Sequence, residues 1–324
     1  MPYWVATAIP RKCLCNEVVS LTNRLAKDTK FLDEHGELGM EQSPHDTMFR
    51  DIINEMSAKL LLHYHPEDLK TRLNKNKGKL RSRYENAAME VYEDGFHAVR
   101  DSAIGMFIKV EDYKSLACIL NNVGLPTEAK DPRMIAGRNP KFNLGYGRFT
   151  TALEHAMVAA FPQIMKGRNA LQRGQAFQKL VLSTSGHYLK TDFSRFDSTQ
   201  HIHLLRTFEL GIMRGILPYE EFELFKQYWI LKMIKRGTYS HGLKFKLFGC
   251  RGSGDMDTGL FNTLINYATA VFFLRSNGFD ETKFIVDGDD GVIWVPTKNY
   301  VPTWHLFGLD ITAEVVSDYH DVTF

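Results

Sequence analysis

Cysteine is scarce. The chain has four (Cys13, Cys15, Cys118 and Cys250) in 324 residues, and no C-x-x-C pair. That excludes a disulfide scaffold, argues against a zinc module, and fits a reducing, cytosolic setting. Long apolar runs are missing too. The stretch around Ala268–Leu274 falls far short of the roughly 18–20 residues a membrane helix needs, so no transmembrane segment is expected in this chain. The opening residues MPYWVATAIPRK lack a basic leader followed by an apolar stretch, so no secretory signal is expected. Neither charge is in excess. Forty basic side chains against thirty-eight acidic leave a net charge of +2, which excludes a uniformly basic nucleic-acid binder and leaves any polyanion to local patches. No internal repeat and no Gly/Ser- or Pro-rich linker divides the sequence. With 44% hydrophobic and 24% charged residues, what remains is a globular composition with room for one large domain or two to three lobes.

Charge does shift along the chain. The segment KTRLNKNKGKLRSR, from Lys70 to Arg83, carries seven basic residues and no acidic one, whereas from Glu281 onward there are eight acidic and two basic. These are either two sides of one ion-filled cleft or, for the basic run, a solvated face. Periodicity predicts helices at about 16–28, 44–64, 81–100, 113–122, 147–161, 168–179, 199–214, 218–233 and 256–276. Strand-like runs are Ile104–Val110, His187–Phe193, Leu243–Phe248, Phe284–Val286 and Gly291–Val295. Helices outnumber strands and the strands are far apart. The expectation is an α+β fold, with a helical, basic N-terminal half and an antiparallel sheet, covered by helices, in the C-terminal half.

Three acidic elements carry chemistry. In KTDFSRFDSTQ, Asp192 ends an apolar strand and Asp197 follows where the chain turns into a helix. A carboxylate at a strand end is poised for a hard cation; the plainer alternative is that Asp197 caps the helix. In KFIVDGDDGVIWV, Asp287, Asp289 and Asp290 crowd one glycine-flanked turn. An ordinary hairpin does not explain that excess of like charge, which a cation would neutralise. In GCRGSGDMDTGLFNTLINY, a Gly252-Ser253-Gly254 turn leads into a helix with Thr258 and Asn262 one turn apart on one face. Such a pair can read a hydroxylated sugar, or can simply be a polar helix face behind an N-cap.

The order and spacing of the three are more specific than any one. Asp192 to Ser253 is 61 residues and Ser253 to Asp289 is 36. A GDD triplet alone arises by chance in on the order of one chain in ten to twenty of this length. The set D-x4-D, SG-x3-T-x3-N and GDD resembles motifs A, B and C of viral RNA-dependent RNA polymerases. The wording DFSRFD and SGDMDTG is most similar to the tombusvirus-like plus-strand RNA viruses. Upstream, MFIKVEDYK and KDPRMIAGRNPKFN resemble the basic motif F of the same family: Lys109 and Glu111 match its first part, and Lys130, Arg133 and Arg138 its second, with Lys141 a weaker match. The following GYGRFTTALEH is similar to the helix that leads into the palm.

The resemblance implies a right-hand polymerase fold: fingers over about 1–150, with motif F at about 106–143, and a palm over 151–324 with a fingers insertion at about 200–250. Motif A would span 192–197, motif B 252–262, motif C 287–290 and the motif D region about 305–314. It implies template-directed nucleotidyl transfer from NTPs to an RNA 3′ end, replicating a plus-strand RNA genome. Two Mg²⁺ or Mn²⁺ ions would be held by Asp192 and Asp289 with Asp290, the triphosphate by Lys109, Lys130, Arg133 and Arg138. Asp197, Ser253, Thr258 and Asn262 would hold the ribose, and Gly252 and Gly254 a loop touching the template. Implied partners are RNA template, nascent RNA, NTPs and other viral or host replication factors, in the host cytoplasm at membrane-associated complexes. The alternatives are a reverse transcriptase-like palm polymerase, against which the acceptor Asp197 and GDD count, and a non-catalytic RNA-binding remnant. In the motif D region this chain reads FGLDITAE, with Thr312 where relatives carry a basic residue; the general acid is therefore unassigned, and His305 is a candidate by chemistry alone. The ending HDVTF is similar to the lead into the thumb, so the chain is expected to be fingers and palm with the thumb largely absent.

Overall fold

The computed structural model describes residues 14–22, 44–109, 133–249, 251–298, 308–309, 311–317 and 322. Its helices are α1 (Leu14–Ser20), α2 (Pro44–Leu61), α3 (Leu69–Lys75), α4 (Gly78–Asp94), α5 (Ala98–Asp101), α6 (Pro140–Ala160), α7 (Ala170–Leu182), α8 (Phe196–Thr199), α9 (Ile202–Leu205), α10 (Gly211–Ile216), α11 (Tyr219–Met233) and α12 (Thr258–Ser276). A π-helical turn, Arg206–Leu210, joins α9 to α10. The strands are β1 (Ile104–Ile108), β2 (Met134–Arg138), β3 (His187–Phe193), β4 (Ile234–Tyr239), β5 (Lys244–Phe248), β6 (Phe284–Asp287), β7 (Asp290–Val295) and β8 (Ile311–Val316).

The α+β class stands, with antiparallel sheet pairing, but the single sheet expected in the C-terminal half is corrected to two four-stranded sheets. One has the order β2-β1-β4-β5 and takes two strands from the first half of the chain; the other has the order β6-β7-β3-β8. All neighbours are antiparallel except β1 and β4, which run parallel. Strands β2, β4 and β8 escape hydrophobic patterning for a physical reason in two of the three cases. Arg138 of β2 and Lys235 of β4 both face the interior, 4% and 1% exposed, at positions where an apolar residue would have announced a strand. Their charge is met by buried Asp255. The boundary expected near residue 150 falls inside α6, which runs unbroken across it, and the helix expected at 113–122 lies outside the described residues.

The helices of the core have clear local causes. In α6, Pro140 occupies the first turn and the Asn139 side chain accepts from the Lys141 amide at 2.9 Å. Phe142, Tyr146, Phe149, Leu153 and Met157 then recur every three to four residues as one buried stripe. A capping box between Asn169 and Gln172 starts α7. Helix α12 is apolar on all sides and buried from Leu260 to Leu274, because it lies between the second sheet and helices α2 and α6. Any polar side chain it carries is therefore held by protein partners.

Candidate active site

The turn between β6 and β7 is two residues long. Asp287 pairs with Asp290 across it, leaving Gly288 and Asp289 at the tip, with Gly288 left-handed at φ 64°. Helix α12 grips this turn from behind. Asn266 donates from Nδ2 to the Gly288 carbonyl (3.2 Å) and the Asp290 carbonyl (2.8 Å). The Gly288 amide donates to Thr263 Oγ1 at 3.1 Å. Asp287 is drawn to α7, where Arg173 lies 2.6 Å from it.

The neighbouring strand β3 brings Asp192 to the same place. Thr191 sits opposite Gly291 of β7, so Asp192 is the next residue beyond that pair, exposed at the sheet end. The chain then reverses through Arg195, the one non-glycine residue with positive φ (51°) among those described. A left-handed conformation costs a side-chain-bearing residue about 1–2 kcal/mol, and it turns the chain so that α8 presents Asp197. Asp197 does not cap that helix: its Oδ1 accepts from Asn262 Nδ2 at 2.9 Å and its Oδ2 from the Ser253 hydroxyl.

Asp289 and Asp290 reach solvent, yet protein is packed around them. Burial, together with the charges of Asp192 and Asp197, pushes the Asp289 carboxyl above its ordinary value, with its own backbone amide and then Arg133 opposing. Burial, then Asp289, Asp192 and Asp287, raises Asp290 likewise. The Asp192–Asp197 and Asp287–Asp290 segments thus share one electrostatic neighbourhood. Among the described residues no three His, Cys, Asp or Glu side chains are gathered into a ready-made cation cage. The donor chemistry of Asp192, Asp289 and Asp290 fits a hard divalent cation all the same: carboxylates only, without nitrogen or sulfur, repelling one another until a positive charge intervenes.

The Gly252-Ser253-Gly254 loop is fastened on three sides. Thr258 Oγ1 donates to the Gly252 carbonyl at 2.7 Å, so this hydroxyl holds the loop rather than standing open beside Asn262. The Ala136 amide of β2 donates to the Ser253 carbonyl at 2.7 Å, and the Arg251 amide to the Asp197 carbonyl at 3.1 Å. Gly254 has φ 98°, and a Cβ there would lie 3.0 Å from the Ala136 carbonyl oxygen; only glycine fits without strain.

The basic residues divide. Lys109 and Arg133 meet where β1 ends and β2 begins, the Lys109 amide donating to the Arg133 carbonyl at 2.8 Å. Arg133 is exposed and is the cation whose field reaches Asp289. The expectation that Arg138 binds a triphosphate is corrected. Its guanidinium pairs with Asp255 and donates to the carbonyls of Ser102 and Lys232, each at 2.9 Å, leaving it no solvent face. Lys141 is 7% exposed on its side chain and pairs with Glu90 at 2.8 Å. Lys130, Glu111 and His305 lie outside the described residues. Thr312 stands directly across from Asp192 in the β3–β8 pairing, and its hydroxyl donates to the Asp192 carbonyl at 3.1 Å.

Behind the loop lies a buried ion network that sequence reasoning missed. Lys232 sits 2.6 Å from both Glu209 and Asp257. The Arg251 guanidinium lies 2.7 Å from Glu209, as an ion pair rather than an aligned hydrogen bond, and the Tyr146 hydroxyl donates to Asp257 at 2.7 Å. Burial alone would raise Asp257; Lys232 and Arg251 outweigh it and hold the carboxyl well below its usual value. Burial drives the Tyr146 phenol far up, and Asp257 and Glu209 add to it. Two signals were legible. Glu209 is a lone acid in the apolar run TFELGIM, and Asn262, Thr263 and Asn266 interrupt an otherwise apolar helix. Lys232, in the last turn of α11, and Lys235, on β4, carry no such mark.

A family model described as viral RNA dependent RNA polymerase matches residues 5–306. The RNA-directed RNA polymerase of Maize chlorotic mottle virus (isolate United States/Kansas/1987) is 27% identical over 321 residues, 92% of this chain and 32% of that protein. That of Cucumber necrosis virus is 29% identical over 208 residues, 62% of this chain and 24% of the relative. That of Groundnut rosette virus (strain MC1) is 29% identical over 201 residues, 60% and 22% respectively. The chain spans between about a fifth and a third of the length of these curated relatives.

Proposed function

Since the chain belongs to the viral RNA-dependent RNA polymerase family, we propose that it is the nucleotidyl-transfer unit of an RNA-directed RNA polymerase, extending an RNA 3′ end on an RNA template and serving plus-strand genome replication in the host cytoplasm. The second sheet, with α12 behind it, is the palm; the first sheet, which unites β1 and β2 with β4 and β5 of the expected 200–250 insertion, is the fingers. The observation that carries the reading is the meeting of three distant segments. Asp192, Asp197 and Asp289 lie close enough for the first two to shift the third, and Asn262 and Ser253 hold Asp197.

Asp192 and Asp289, with Asp290 beside them, would hold two Mg²⁺ or Mn²⁺ ions, which supply charge stabilisation at the attacking and leaving oxygens. The remaining chemistry belongs to the chain. Asn266 and Thr263 fix the Asp289 turn so that its carboxylate is presented without reorganisation. Arg133 and Lys109, together with Lys130, bind the triphosphate as charge-assisted donors and offset the negative charge left when pyrophosphate departs. Asp197 accepts a hydrogen bond from the ribose 2′-hydroxyl. A deoxyribonucleotide forfeits that charge-assisted bond, which disfavours it as a substrate. Ser253 and Gly254, on the rim of the loop, touch the template and the nascent pair. The test is primer extension with Mg²⁺ or Mn²⁺ on an RNA primer–template. Asp192→Asn should lower single-nucleotide incorporation by several kcal/mol of transition-state stabilisation, about a thousandfold. Incorporation by that variant within tenfold of the parent would refute the assignment.

A further inference from the structure

Asp197 is the visible end of a hydrogen-bond chain that runs inward through three side chains. Asn262 Nδ2 donates to Asp197 Oδ1 at 2.9 Å, Gln200 Nε2 donates to Asn262 Oδ1 at 2.9 Å, and Arg251 Nε donates to Gln200 Oε1 at 2.7 Å. Gln200 is 0% exposed and Arg251 1%, so water does not complete either group.

The direction of this chain is not free. An amide can be turned end for end with little change of shape, exchanging its donor and its acceptor. A guanidinium cannot: it has donors only. Arg251 is held charged, because burial opposes its proton but Glu209, Asp257 and Asp197 outweigh that opposition. Facing Arg251, Gln200 must present its carbonyl oxygen, and its NH₂ group then points at Asn262. Asn262 must in turn present oxygen inward and its NH₂ outward to Asp197. Glu209 anchors the far end at 2.7 Å from Arg251, and Lys232 braces Glu209 at 2.6 Å.

We propose that Gln200 and Arg251 are positioning residues that set the direction of the Asn262 amide and through it the ribose selectivity of Asp197; the proposal rests on the polymerase reading above. With Asn262 locked as a donor, Asp197 is held in place with lone pairs left for a sugar hydroxyl. With the amide reversed, oxygen would face oxygen, and Asp197 would turn away from the ribose.

Gln200→Glu tests this with almost no change of volume. It keeps an acceptor toward Arg251 but removes the donor toward Asn262, which favours the reversed amide. Gln200→Met removes both bonds and serves as a second variant should the added charge impair folding, which thermal unfolding would report. The readout is the ratio of kcat/KM for a ribonucleotide to that for its 2′-deoxy analogue in single-nucleotide incorporation. Equilibrium affinities for the same two triphosphates, measured on the same proteins, make the comparison without chemistry. Loss of one hydrogen bond to a charged group should lower the ratio about tenfold or more. In an Asn262→Ala background, Gln200→Glu should lower it no further, because the chain acts only through Asn262. A merely structural role would depress both sugars alike and leave the ratio unmoved. A folded Gln200→Glu with an unchanged ratio, or one whose loss persists undiminished in Asn262→Ala, overturns the relay while leaving the polymerase reading intact. A parent chain that neither incorporates nor binds either triphosphate overturns both.

Discussion

Asp289→Asn should make the cation-free protein more stable and the cation-loaded protein less so. The structure supplies both signs. Asp289 is repelled by Asp192 and Asp197 and attracted by Arg133, and its burial adds to the cost of its charge. Individual interactions between such solvent-reachable charges are worth about 0.2–1 kcal/mol each, so removing the net repulsion should gain about 0.5–1 kcal/mol. A chain of 324 residues unfolds with an entropy of about 0.7 kcal/mol/K, so the melting temperature should rise by about 1 °C. The parent gains RT ln(1 + [L]/Kd) from a ligand that binds only the folded state, about 1.4 kcal/mol or 2 °C at a cation concentration of ten times Kd. An amide binds a hard cation far more weakly than a carboxylate, so the variant should gain little. Differential scanning calorimetry with and without Mg²⁺ or Mn²⁺ should therefore show the two melting curves exchanging order. The pH dependence follows from the same shift. The folded-state value of Asp289 is raised above the ordinary 3.8, so its penalty is present at neutral pH and fades as the pH falls through that raised value. The advantage of the variant over the parent should shrink on acidification from pH 7 toward that range. Equal stabilisation of both proteins by the cation would refute the metal assignment, and a variant less stable without cation would refute the repulsion.

Asp197→Ala should lower the preference for ribonucleotides over deoxyribonucleotides, which steady-state incorporation of the two sugars reads; an equal fall for both would remove Asp197 from sugar selection. Arg133→Ala should raise the apparent KM for nucleotide with the melting temperature nearly unchanged. Arg138→Met, which leaves buried Asp255 with Lys235 as its remaining cation, should instead cost about 3–5 kcal/mol of stability, a fall of roughly 4–7 °C; the opposite pattern would exchange the roles of the two arginines. Gly254→Ala, at φ 98° and against the Ala136 carbonyl, should cost about 1–2 kcal/mol by calorimetry, and a neutral substitution would mean that the loop is not held by β2.

The chemistry of this protein was written locally, and its architecture was not. Asp192 is the penultimate residue of a strand whose bounds, His187–Phe193, agree with the strand-like run in the sequence, and Asp289 sits in a turn that its glycines demand. Those signals involve few residues in a row, and the spacing between them was enough to suggest a shared site. Which basic residues face that site could not be read in the same way. Arg133 and Arg138 occur five positions apart in one basic segment, yet one is exposed beside Asp289 and the other is sealed against Asp255. The difference arises because β2 alternates its faces and because Asp255, more than a hundred residues later, is folded under it. The sheet that contains β2 and β4 escaped notice for the same reason: a strand with an inward arginine or lysine looks polar until its counter-ion arrives from elsewhere in the chain. The direction of the Asn262 amide is more remote still, since it depends on Arg251, Gln200 and Glu209 meeting in a dry interior where a donor-only group leaves its neighbours no choice. Sequence carries what adjacent residues do to one another; burial, and the pairing it forces on charged and polar groups, exists only once the chain has closed on itself.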